Sequence, residues 1–296
     1  MQTGFDGTSL AVFTGLAPAG MLAFCLMGMM VVQKTINARR RGESQAADAG
    51  CVRRWMALPL LVAWLGFITS TTHLGMPSNA LYVVDGIGRS PLSNEVAASV
   101  LFLFFSGVYW MYGFSQHRRQ GLSAVLLCLA VAAAIVAIHL SSDAYSIETA
   151  LTWNLWFTSA NVWLSALMSA PLLASAAIVC SRARVPLWWH TSLLAASMAF
   201  LALGTVVLCL QWGQISGMAN NVTTLVEILP NYPWTIVLRT LLCVAGVVLQ
   251  AFGALADARG RRLAALVCGV AGCACMTIGL LAVRFAFYQM YLSVGF

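Results

Sequence analysis

The residues most able to do chemistry are His73 and Glu95, 22 positions apart in the stretch FITSTTHLGMPSNALYVVDGIGRSPLSNE from Phe67 to Glu95. An apolar run stops at His73-Leu74-Gly75, and the next restarts behind Ser93-Asn94-Glu95. If both runs cross a membrane, an imidazole and a carboxylate share one depth of it. A neutral imidazole donates one hydrogen bond, accepts another, and takes up a proton near physiological pH. Such a group can bind a quinol hydroxyl and accept its proton, while the carboxylate orients the ring or passes protons to the outer water. Structural roles fit the same positions. A histidine can anchor a helix end at the headgroups, and Glu95 can complement the dipole in the first turn of a helix capped by Ser93.

Arg239 and Arg284 stand inside apolar runs, WTIVLRTLL and GLLAVRFAFYQM. Intramembrane arginines usually face a bundle interior or a cavity, with snorkelling to the interface as the competing account. Arg284, Phe287 and Tyr288 share one helical face by their i, i+3 and i+4 spacing. An aromatic pair beside a fixed donor suits a flat quinone ring, and a fixed positive charge in a low-dielectric site favours developing negative charge. Of the four histidines, His73 and His139 fall at the outer side and His117 and His190 at the inner side. A His73–His139 haem pair stays open, but nothing in the spacing specifies one. The nine cysteines contain no Cys-x-x-Cys pair and read as small apolar packing residues, so neither haem nor metal is expected.

The elements that must position these residues are membrane helices. The chain of 296 residues is 60% apolar and 8% charged, against roughly 25% charged in a soluble domain. With about 20 apolar residues per crossing, eight spans are predicted at about 9–33, 55–73, 96–116, 121–141, 154–180, 187–210, 234–256 and 263–286. The reading is an all-α membrane protein, a single integral membrane domain over 1–296 whose long second and sixth loops fit two four-helix bundles. Pro59 and Pro171 fall inside spans and are candidates for kinks.

The net charge of +7 is distributed, not clustered: thirteen of the sixteen basic residues fall in alternate loops, from Lys34 to Arg54, at Arg118-Arg119, at Arg182 and Arg184, and from Arg259 to Arg262. Cytoplasmic loops collect Lys and Arg, so both termini are expected on the outer, periplasmic side. The basic balance therefore reports orientation, and no nucleic-acid partner is expected.

With those residues in view, the sequence resembles the membrane anchor subunit of dimethyl sulfoxide reductase, the DmsC family, and more distantly polysulfide reductase-type (NrfD-like) anchors. The likeness lies in FITSTTHLG-x-P followed by PLSNE, in the His73 to Glu95 spacing, in the APLL of Ala170 to Leu173, and in Arg284-x-x-Phe287-Tyr288. The resemblance implies a haem-free, multi-pass anchor in the bacterial inner membrane that binds menaquinol near its outer face. It also implies a four-cluster iron–sulfur subunit as direct partner, which carries a molybdopterin catalytic subunit. His73 and Glu95 match the positions such anchors use for quinol; Arg284 and Tyr288 match in pattern. Ser78-Asn79 and Asp85 depart from the family's usual loop.

The expected function is oxidation of menaquinol, in anaerobic respiration, with electrons passed to the iron–sulfur subunit. Three alternatives stay open at this point. One is a quinone-reducing anchor for a sulfur-compound oxidase, another a b-type cytochrome, and the third a non-redox transporter, which would need broken helices and polar residues at the midplane.

Overall fold

The computed structural model describes residues 5–41, 43–71, 82–221 and 223–292. Eight helical stretches among them are long and apolar enough to cross a bilayer. In chain order the helices are α1 (Phe5–Arg41), α2 (Glu43–Trp55), α3 (Ala57–Thr71), α4 (Tyr82–Asp85), α5 (Pro91–Tyr112) and α6 (Gln120–Ala144), then α7 (Trp156–Ser181), α8 (Leu187–Ile215), α9 (Leu225–Ile228), α10 (Tyr232–Ala258) and α11 (Arg262–Gln289). No strand occurs among the described residues; one isolated bridge joins Ala219 to Thr224.

The second crossing is built from two helices. Pro59 has no amide hydrogen, and its ring excludes the carbonyl four residues back from helical geometry. The helix accordingly breaks at Met56, and α2 and α3 together make a span from Ala46 to Ser70, starting earlier than hydropathy alone indicates. Pro171, by contrast, sits inside a continuous α7. The third crossing also starts early, at Pro91. Proline is pre-organised for the first helical position, so the N-cap is Ser90, not the expected Ser93. Asn94 fastens this entry by accepting a hydrogen bond from the Gly88 amide at 2.6 Å.

α1 and α7 form the interior. In their most apolar stretches 72% and 78% of residues are buried, against 28% to 39% in the other spans, which face lipid. α1 packs on α3, α6, α7 and α11; α5 packs on α6; α7 packs on α8 and α11; and α10 packs on α8 and α11. The α1–α3 contact is backbone-close, because a side chain on Gly20 would meet the Ala63 amide at 2.5 Å and one on Gly66 the Ala17 amide at 2.6 Å. With little hydrophobic drive between helices in lipid, such close approach of small residues is the main source of association.

The basic end of the bundle is tied by ion pairs. Lys34 lies 3.5 Å from Asp48 and donates to the Arg184 carbonyl at 2.8 Å. Asp48 also accepts from the Arg184 amide at 3.0 Å, so α1, α2 and the end of α7 are locked together. Arg262 pairs with Asp257 and donates to the Val179 carbonyl at 3.1 Å.

Candidate functional site

At the opposite end of the bundle α5, α6 and α11 bring together Glu95, Ser141, Tyr145, Tyr288 and Arg284. Because α5 begins at Pro91, Glu95 falls in the second turn and points inward, with no exposed surface. That position is beyond the first-turn reach of the helix dipole. Neither oxygen of the Glu95 carboxyl has a hydrogen-bond partner. The Ser141 hydroxyl faces it from α6, yet that hydroxyl also completes no hydrogen bond of good geometry. One turn further along, just past the end of α6, the buried Tyr145 hydroxyl faces the Tyr288 hydroxyl but likewise completes no hydrogen bond of good geometry.

Tyr145 is the hub. Its ring packs edge-on against Tyr288, with centroids 5.6 Å apart, and it lies within electrostatic reach of Tyr288, Glu95 and Arg284. Burial, reinforced by Tyr288 and Glu95 and opposed by Arg284, holds its phenol pKa well above the ordinary tyrosine value. It is therefore a hydroxyl donor throughout the physiological range. Tyr288 itself donates to the Leu10 carbonyl at 3.4 Å and shares a 3.3 Å contact with the Thr14 hydroxyl, which joins α1 to the cluster.

The short loop between α6 and α7 clamps this arrangement against the end of α11. Trp153 stacks on Phe287 with centroids 5.1 Å apart and donates to the Phe287 carbonyl at 3.1 Å. Thr152 donates to the Met290 carbonyl, and the Leu151 amide to the Leu292 carbonyl at 3.2 Å. Trp153 thus has a packing and hydrogen-bonding task beyond that of an interfacial belt residue.

Arg284 and Arg239 are interior, 4% and 3% exposed, so neither snorkels. Arg284 donates to the Asn161 carbonyl at 3.2 Å; Arg239 donates to the Thr205 hydroxyl at 3.0 Å and to the Met168 sulfur at 3.1 Å. The Asn161 amide in turn donates to Gln211 at 2.7 Å. Both arginines, with Asn161, Gln211 and Tyr232, line one cavity of about 20 Å³. That is room for about one water, not for a ring, so a quinone ring beside Arg284 would have to sit on the Tyr145–Tyr288 side. Neither arginine forms an ion pair among the described residues.

Of the residues singled out in the sequence, Glu95, Arg284 and Tyr288 are gathered by the fold, while His73 lies outside the described residues. His139 is paired with Asp143 at 3.6 Å on an exposed face of α6, and His190 is buried against the Ser175 hydroxyl at 2.8 Å. No group of three His, Cys, Asp or Glu side chains among the described residues could hold a metal ion. Sequence reasoning missed Ser141 and Tyr145. The available signal was the polar run Ser141-Ser142-Asp143 closing span four, which reads as an ordinary span end.

The sequence matches the family described as DMSO reductase anchor subunit (DmsC) over residues 1–288. It is similar to the anaerobic dimethyl sulfoxide reductase chain YnfH of Escherichia coli (strain K12), 27% identical over 249 residues covering 83% of each protein. The C chain of anaerobic dimethyl sulfoxide reductase from the same strain is 26% identical over 243 residues, covering 80% of this protein and 81% of that one. The corresponding C chain of Haemophilus influenzae (strain ATCC 51907 / DSM 11121 / KW20 / Rd) is 24% identical over 249 residues, covering 84% of each. With eight membrane-crossing helices and a family match spanning nearly its whole length, this protein belongs to the DMSO reductase anchor subunits, a family of multi-pass membrane anchors.

Proposed function

We propose that the protein is the quinol-oxidising anchor of a molybdoenzyme complex in the bacterial inner membrane. Menaquinol is the donor, an iron–sulfur subunit receives the electrons, and a molybdopterin subunit spends them on the terminal acceptor in anaerobic respiration. The termini face the periplasm, as the alternating basic loops require. The helix contacts fit two four-helix units, the first four crossings and the last four, meeting at α1 and α7.

The observation that carries the reading is the buried, unpartnered carboxyl of Glu95 beside two unpartnered hydroxyls, Ser141 and Tyr145. Buried polar atoms are nearly always hydrogen-bonded, so three side chains with open valence at one place imply a ligand that completes them. A quinol hydroxyl both donates and accepts, and so fits a set that offers carboxyl acceptors and hydroxyl donors. In this arrangement Glu95 accepts the hydroxyl proton, with Ser141 and Tyr145 fixing the oxygen that loses it. His73, which falls at the end of the second span predicted from the sequence, is assigned the second hydroxyl on that ground alone. Arg284, within electrostatic reach of Tyr145, supplies a fixed positive charge that favours the loss of protons.

The test uses a fluorescent quinone-analogue inhibitor titrated into membranes that carry the assembled complex. Glu95→Gln and His73→Ala are each expected to weaken binding at least about tenfold, the loss of one charge-assisted hydrogen bond. Unchanged affinity in both variants would remove this end of the bundle from consideration.

A further inference from the structure

A large cleft lies at the other end of the molecule. It has a volume of about 910 Å³ and is bordered by Lys34 of α1, by Arg182, Arg184, Trp188 and Trp189 at the turn from α7 to α8, and by Asp257 and Arg262 at the turn from α10 to α11. Arg182 adopts a left-handed backbone conformation, φ 57°, which turns the chain sharply and sends the next residues along the rim. Of the four cations, Lys34 is held by Asp48 and Arg262 by Asp257. Arg182 and Arg184 form no ion pair among the described residues, so within that set two of the cleft's positive charges are uncompensated. Trp188 and Trp189 stack with centroids 5.1 Å apart at its edge, residues that favour the headgroup level of a bilayer.

A second hollow adjoins it. Arg262 lines the cleft, and the Val179 carbonyl to which it donates belongs to the near end of an apolar groove of about 270 Å³. Cys180 and Leu266 continue that end, and the groove follows Ala176, Leu172 and Met276 toward the bilayer centre. Its open edge faces lipid through Val270, which is 70% exposed.

We propose that cleft and groove together bind one anionic glycerophospholipid. Its phosphate sits between Arg182 and Arg184, and an acyl chain lies in the groove below Arg262. A zwitterionic lipid carries no net charge to neutralise the two free arginines, and a soluble phosphate leaves the groove unused. Basic pockets between transmembrane helices that continue into apolar grooves have the chemistry of such a headgroup site. The site lies at the end of the bundle away from Glu95, so it acts on assembly and stability of the anchor and not on the redox step.

The experiment takes the protein purified with the subunits it assembles with, stripped of lipid in detergent. Thermal unfolding is followed after addition of dioleoylphosphatidylglycerol, dioleoylphosphatidylcholine or glycerol 3-phosphate. Phosphatidylglycerol is expected to raise the apparent Tm by about 5 °C over phosphatidylcholine, and glycerol 3-phosphate to leave it unmoved. An R182Q/R184Q pair should lose most of that rise, and R182K/R184K should keep it. Equal rises with both lipids, a full rise in the Gln pair, or a rise with glycerol 3-phosphate alone would each overturn the proposal. Should the Gln pair fail to assemble, native mass spectrometry of the wild-type complex with an equimolar mixture of the two lipids decides. Preferential retention of phosphatidylglycerol supports the site, and equal retention overturns it.

Discussion

Two polar clusters at opposite ends of this bundle are treated in opposite ways. At the basic end Lys34, Asp48 and the Arg184 backbone close on one another, and Arg262 bridges Asp257 and Val179. At the other end Glu95, Ser141 and Tyr145 are buried with their oxygens unpartnered. Lys34 and the Glu95 cluster are buried, where an unpaired polar group carries a desolvation cost that it does not carry in water. The paired set holds three helices in register. The unpaired set does nothing for stability as it stands, and this is the ground for the proposal that a ligand completes it.

That contrast can be broken by substitution. Asp48→Ala leaves Lys34, whose side chain is 6% exposed, without its carboxylate. It should destabilise the anchor by about 3 kcal/mol, read as a lower apparent Tm with the turnover of surviving complex unchanged. Glu95→Gln should leave the Tm within about 0.5 kcal/mol of wild type, because no partner loses a hydrogen bond. A large loss of stability in Glu95→Gln and none in Asp48→Ala would reverse the assignment of the two ends.

Smaller effects sharpen the picture within the Glu95 cluster. Tyr145→Phe keeps the ring that packs on Tyr288 and removes the hydroxyl alone. Quinol-dependent turnover should fall about tenfold, one hydrogen bond's worth, with little change in Tm. Ser141→Ala removes a weaker, neutral donor and should cost about threefold in the same assay.

The smallest expected effect lies outside the membrane, where Thr224 and Glu227 form a capping box at the start of α9. The Thr224 amide first, then the Thr223 hydroxyl, hold the Glu227 carboxyl below its ordinary pKa. A depressed carboxyl pKa stabilises the loop above the unfolded value and loses that contribution as pH falls through the folded one. The protection factor of the Thr224 amide, its exchange rate corrected for the intrinsic rate at each pH, should therefore fall only in the acid range, and Glu227→Ala should abolish this pH dependence.

Hydropathy made the eight crossings legible because lipid-facing helices have few ways to be anything but apolar. Their starts were less so. Pro91 and Pro59 decide where α5 and α3 begin, through one pre-organised torsion and one missing amide, and neither effect registers in an average over about 19 residues. Glu95 stood out because a carboxylate beside an apolar run is rare. Ser141 and Tyr145 did not, since span ends are ordinarily polar and only the packing of α6 against α5, α1 and α7 turns these hydroxyls inward. Asn161 and Gln211 were hidden for the same reason: a lone amide in an apolar helix has no assigned face until its neighbours are known. The shared cavity of Arg239 and Arg284 likewise needed the contacts of α8, α10 and α11, because 45 residues separate the two arginines in the sequence.

The most direct test of the central claim is turnover of the assembled complex carrying Glu95→Gln, measured once with a menaquinol analogue and once with a soluble artificial donor that bypasses the anchor. Removing a proton acceptor from the reacting site is expected to lower quinol-dependent turnover about 100-fold while donor-driven turnover stays at the wild-type rate. Full quinol-dependent turnover in Glu95→Gln would contradict the account, and the buried carboxyl would then need another explanation.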